Sequence, residues 1–190
     1  MLIVGAATAT SAPAPAADVE AGRRKADACG ACHGPTGTSS IPTTPSLAGQ
    51  PPIYLHWQLM LFRDGRRKDP QMTPLAAALS EADMADLAAW YAAQPPVAPA
   101  RTPLTAPQAH RGRTLGEQFH CFACHGAALE GREYAPRLST LHVDYLTSQL
   151  RRFKAGTRGD LDGTMTSAAQ SLTDEAIVEI ARFIAGAPAP

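Results

Sequence analysis

Apolar residues recur along this chain with a helical period, and they do so twice. Met84, Leu87, Ala88 and Tyr91 form an i, i+3, i+4, i+7 stripe behind Ser80, a residue suited to capping a helix. Thr173 with Ile177, Ile180, Ala181 and Ile184 repeats that pattern near the far end. Two more segments, about 53–63 and 143–154, read as helices. A third pair runs from Gly22 toward Cys29 and from Gly112 and Gly116 toward Cys121. Glycine inside a helix costs about 1 kcal/mol against Ala, so its expected use is the close approach of another helix. No convincing strand is read. The prediction is an all-α chain with three helices in each half.

The halves align as a tandem duplication. At an offset of 91, Pro45, Leu47, Tyr54, Gln58, Leu59, Phe62, Gly65 and Arg67 meet Pro136, Leu138, Tyr145, Gln149, Leu150, Phe153, Gly156 and Arg158. At 93, Met72, Leu79, Leu87 and Trp90 meet Met165, Leu172, Ile180 and Phe183. Small changes of offset between matching blocks are what loop insertions produce. Segment 94–108 carries five prolines and no helical period, so it reads as a semi-extended linker. The organisation expected is a first domain at 18–95, a linker at 96–107 and a second domain at 108–190. Near 80 residues, each domain is too small for an apolar core alone to be comfortable.

With 17 basic and 17 acidic side chains the net charge is zero, which argues against a nucleic-acid footprint or an electrostatic membrane anchor. Residues 1–17 combine a short apolar run with Ala14-Pro15-Ala16, which resembles a cleavage site. They read as an export signal without the usual basic start, or else as a disordered tail. No other stretch approaches the ~20 apolar residues of a membrane span. The mature chain is expected in the periplasm.

All four cysteines fall in two copies of one motif, Cys29-Gly-Ala-Cys32-His33 and Cys121-Phe-Ala-Cys124-His125. The spacing puts two thiols one helical turn apart, where each adds across a haem vinyl group, and the adjacent imidazole becomes an axial iron ligand. A zinc site fits poorly, because the pairs lie 92 positions apart and zinc does not require the following histidines. A thioredoxin-like dithiol would follow a strand, whereas the residues before Cys29 read as helix. Two covalent haem c groups are expected, on Cys29 and Cys32 with His33, and on Cys121 and Cys124 with His125.

The second half contains a single methionine, Met165, 40 residues after His125; Met72 stands 39 after His33. Both lie in turn-rich segments read as helix-free, where the chain could lay a sulfur over the haem, and both are expected as sixth ligands. Met60 and Met84 have no counterparts and read as core filler. The carbonyls of Pro45 and Pro136, 12 and 11 residues after the two histidines, are plausible acceptors for the histidines' other ring N–H, or else these are turn prolines. His56, His110, His120 and His142 read as surface or structural residues. The arginine clusters read as solvated faces. Arg67 and Arg158 stand out by repeating, and either could neutralise a haem propionate.

Taken together, Cys29-x-x-Cys32-His33-Gly-Pro-x-Gly37, Pro45-x-Leu-Ala-Gly-Gln50, Tyr54-x-x-x-Gln58-Leu, Gly65-x-Arg67 and Met72-Thr, with the helix through Leu79-Ser to Trp90-Tyr91, resemble the dihaem cytochrome c4 family. The second half is a looser match, with Leu138-Ser-Thr-Leu-His142 replacing the usual Gly-Gly-Gln. The resemblance implies two class I cytochrome c domains in tandem, each a small helical fold around one haem, packed with propionates facing across a pseudo-twofold axis. It implies a periplasmic one-electron carrier between a respiratory donor complex and a terminal acceptor such as an oxidase, and no enzyme. The alternative is a tightly bound subunit of a periplasmic dehydrogenase, of the flavocytochrome c sulfide dehydrogenase type. A haem peroxidase or gas sensor stands behind both. Redox proteins are the expected partners, with no nucleic acid.

Overall fold

The computed structural model describes residues 16–100 and 102–186, which form nine helices. The export segment expected at 1–17 lies, save its last two positions, outside the described residues. In the first domain α1 (Val19–His33), α2 (Pro52–Arg63), α3 (Met72–Ala77) and α4 (Glu81–Ala92) follow in order. The second domain has α5 (Ala106–Gln118), α6 (Cys121–His125), α7 (Val143–Lys154), α8 (Thr164–Gln170) and α9 (Asp174–Gly186). The described residues contain no strand, only isolated bridges such as the antiparallel pairing of Arg67 with Arg158.

Local chemistry sets the helix starts. The Asp18 carboxylate accepts from the Glu20 and Ala21 N–H groups at the head of α1. Ser80 and Asp83 form a capping box on α4, Thr105 and Gln108 another on α5, and the Thr173 hydroxyl accepts from Ala176 N–H at α9.

First and last helices cross in each domain, and glycine lets them touch. A Cβ at Gly22 would lie 2.1 Å from Asp86 O on α4, and one at Gly112 would lie 2.2 Å from Phe183 Cβ on α9. Gly116 has a different reason: its Cβ would press on the Phe122 ring of α6 at 2.9 Å. Around α9 the second core gathers Leu146, Phe153, Ile177, Ile180 and Ile184, while the first is leaner, built on Ala26, Leu55, Leu87, Ala88 and Tyr91.

Three helices per half proves too few. Met72 and Met165 do not sit in helix-free segments. Each lies at the start of a short helix, α3 and α8, whose first N–H groups are held by aspartates. Asp69 Oδ1 accepts from Met72 N–H at 3.1 Å, and Asp160 Oδ2 from Met165 N–H. Runs of six and seven residues are too short to show an apolar period, which is why the pattern hid them. The helix leading to the second cysteine motif is broken as well. Nine residues separate Gly112 from Cys121 where seven separate Gly22 from Cys29, and two extra residues would turn the motif through more than half a revolution. The chain stops at Gln118, passes through His120 in the left-handed region (φ 56°) and restarts as α6.

Candidate haem sites and the contact between them

Each cysteine motif occupies the last turns of a helix that ends on its histidine. Cys29 and Cys121 are half-buried, while Cys32 and Cys124 are exposed; all four are free thiols, unpaired with one another. Burial pushes the Cys29 and Cys121 thiols up from their ordinary values. Gly34 and Gly126, at φ 81° and 85°, end the helices directly after the histidines and turn the chain back.

The two imidazoles have matching environments. His33 and His125 are 6% and 5% exposed, and each places Nδ1 2.9 Å from a proline carbonyl, Pro45 O and Pro136 O respectively. With Nδ1–H donated there, Nε2 is left as the lone-pair nitrogen, the form a metal ligand needs. Burial lowers the pKa of both rings, and for His33 the Arg67 charge adds to this; both are neutral at ordinary pH. Met72 and Met165 are half-buried, Met165 against the second core.

Arg67 and Arg158 are not on a solvated face. Each is 6% exposed, at the contact between the domains. Each guanidinium stacks 4.4 Å above a phenyl ring of its own domain, Arg67 on Phe62 and Arg158 on Phe153. Each donates to the glutamine of its own domain and to that of the other. Arg67 reaches Gln58 Oε1 and, at 3.2 Å, Gln149 Oε1; Arg158 reaches Gln149 Oε1 at 2.7 Å and Gln58 Oε1 at 3.3 Å. Arg67 also bonds Tyr145 Oη at 3.0 Å. This exchange is the local signature of a pseudo-twofold axis. Tyr54, Tyr145, Gln58 and Gln149 all belong to the repeat, and their spacing of four along one helix face is the sequence signal for this cluster.

Away from the axis the contact is asymmetric. His142 Nε2 lies 2.9 Å from Ser39 O, Tyr145 N–H donates to Pro42 O, and the Gln50 side chain bonds the Arg137 backbone. His142 is therefore a structural residue. His56 lies 3.3 Å from Glu81, and His110 and His120 are exposed.

Haem c is the group these residues fit. Two thiols one turn apart, a buried imidazole oriented by a carbonyl, and a thioether at matching repeat positions form the donor set of a closed haem site. The interface adds an independent observation: two buried guanidiniums side by side, with no salt bridge to either among the described residues and with each Nε lacking a hydrogen-bond partner. Burial and the neighbouring Arg67 charge lower the pKa of Arg158. Buried like charges of this kind call for anions, and haem carries two propionates.

A cytochrome c family model matches residues 19–92 and 109–188. Over 178 residues the chain is 40% identical to cytochrome c4 of Thiocapsa roseopersicina, covering 89% of this chain and 92% of the relative. It is 33% identical over 174 residues to a thiosulfate dehydrogenase electron acceptor of Thiomonas intermedia, covering 86% and 80%. The fold superposes on the crystal structure of reduced recombinant cytochrome c4 from Pseudomonas stutzeri with a TM-score of 0.81 at 30% identity, covering 91% of this chain and all of that one. With two cytochrome c domains and a covalent haem c in each, this chain belongs to the cytochrome c4 family, whose members carry electrons and are not enzymes.

Proposed function

We propose that the protein is a periplasmic one-electron carrier whose two irons are each closed on both faces, haem 1 by His33 and Met72 and haem 2 by His125 and Met165. Cys29 and Cys32 hold the first haem through thioethers, and Cys121 and Cys124 the second. The domains are bounded at about 18–95 and 108–190. The observation that carries the reading is the duplicated arrangement of buried imidazole, proline carbonyl and aspartate-held methionine.

When bound, each haem supplies an Fe(III)/Fe(II) couple. The chain keeps the coordination fixed and the surroundings dry. Pro45 and Pro136 orient the imidazoles, so little rearranges as the electron arrives. Asp69 and Asp160 anchor the segments that present the sulfurs. Arg67 and Arg158 keep an Nε–H each for a propionate, and their positive charge favours the reduced state.

With both faces closed, the reduced protein at neutral pH should not take up carbon monoxide. Rapid formation of a carbonyl spectrum at either haem would support a peroxidase or gas sensor and sink the closed-site carrier.

A second reading has one observation in its favour, the similarity to a thiosulfate dehydrogenase electron acceptor. On that reading the donor is a periplasmic dehydrogenase rather than a respiratory complex. Purification from the native host separates the two: a dehydrogenase that co-elutes through two columns supports the second.

A further inference from the structure

Gln50 is a first-domain residue, 2% exposed, whose amide makes one long bond at home, from Nε2 to Ser46 O at 3.5 Å, and its two shorter ones to the second domain. Its Nε2 donates to Arg137 O at 2.8 Å and its Oε1 accepts from Arg137 N–H at 3.0 Å. That double contact fixes which end of the amide is which, since only oxygen can receive the N–H. Arg137 Nε donates in return to Gly49 O at 3.1 Å.

Arg137 N–H belongs to the same peptide unit as the Pro136 carbonyl, which accepts from His125 Nδ1 at 2.9 Å. One peptide plane is therefore held at both ends, by Gln50 at its N–H and by His125 at its oxygen. Hydrogen bonds on opposite ends of an amide polarise one another, so a partner on the N–H makes the carbonyl a better acceptor. A better acceptor draws the imidazole proton and makes the ring a more electron-rich ligand, which favours Fe(III). In the first domain the equivalent peptide, Pro45–Ser46, receives no such contact: nothing among the described residues meets the Ser46 N–H. The repeat position opposite Gln50 is Leu141, which has no amide to offer.

We propose that Gln50 is a positioning residue for the other domain's haem, lowering the reduction potential of haem 2 by holding the N–H of the peptide whose carbonyl orients His125. The inference rests on His125 being the haem 2 ligand. It makes the domain contact a source of inequality between two haems that the duplication left alike.

The test is spectroelectrochemical titration of the holoprotein, with each potential assigned to its haem by NMR. Gln50→Leu removes both bonds to Arg137, together with the long bond to Ser46 O, and installs the residue the second repeat carries. The expected result is a shift of the haem 2 equilibrium toward the reduced form, on the order of threefold to tenfold, with haem 1 unmoved. Gln50→Glu keeps an acceptor for the Arg137 N–H and should show no such rise. An unmoved haem 2 overturns the proposal. So does an equal shift of both haems, which would mean only a loosened interface, or a Gln50→Glu that rises as Gln50→Leu does. If neither variant folds, the reduced wild-type protein decides: the His125 Nδ1 proton should resonate downfield of the His33 one, and equality or the reverse order overturns the proposal. The ligand assignment fails separately, if His125 ring protons lack the large upfield shifts of an imidazole bound to a haem.

Discussion

At residue scale, the candidate iron ligands stand out in the sequence because their chemistry tolerates few substitutes and because each occurs twice. Cys-x-x-Cys-His names its cofactor outright, and subtracting one repeat from the other singled out Met72 and Met165 from five methionines. What the residues could not reveal was their supports. Asp69 and Asp160 hold the two methionine segments from different distances, three and five residues back, so no common spacing advertises them. Met165→Ala should lower the haem 2 potential markedly and erase its sulfur-to-iron absorption band, while haem 1 keeps both. A surviving band at full intensity would show that another group supplies the sixth ligand.

At the scale of elements, the long helices followed from apolar period and caps, while the short ones escaped because a helix of two turns carries no period. The break before α6 was also readable, as a count of nine residues against seven, but only once the Gly22 and Gly112 crossings were known to be equivalent. Those crossings support a prediction. In Gly112→Ala the new Cβ meets Phe183 at 2.2 Å, so α5 must move off α9. The second domain should lose roughly 1–3 kcal/mol by overpacking while the first is unchanged, as read by calorimetry or domain-resolved hydrogen exchange. A second prediction concerns pH. The Ser80 hydroxyl bond, then the Lys25 ammonium and the Ser80 N–H, hold the Asp83 carboxyl down to about 2 from an ordinary 3.8. A depressed carboxyl stabilises the fold fully above its unfolded value and ceases to do so as pH falls through its folded one. Asp83→Asn should therefore melt a few degrees below wild type at pH 7, about 2–4 °C for loss of a cap. That gap should close as pH is lowered from 4 toward 2. A gap of constant size would mean that the carboxylate charge contributes nothing to α4.

At the scale of the whole molecule, the sequence showed two similar domains but not how they meet, because contact residues are chosen by shape and by a partner surface that no local pattern encodes. Arg67 and Arg158 illustrate the difficulty: their arginine clusters read as solvated faces from which these two stand out only by repeating, and it is the fold that shows both buried on the axis. Two adjacent buried cations with neutral amide and phenol acceptors are ordinarily unfavourable, and on the proposed function the haem propionates are the anions that would offset them. Arg67 is tied to both halves, stacking on Phe62 and bonding Gln149 and Tyr145. Arg67→Met keeps the length of the side chain and its packing on Phe62 but removes a positive charge from the contact between the domains. Less positive charge favours Fe(III), so both potentials should fall, each by on the order of tenfold in the reduction equilibrium. Titration resolving the two haems checks this, and a fall confined to haem 1 would place the Arg67 charge with one site rather than on the shared axis. Gln50→Leu differs in both sign and reach: losing a charge on the axis moves both haems downward together, whereas losing a hydrogen bond to one peptide moves a single haem upward.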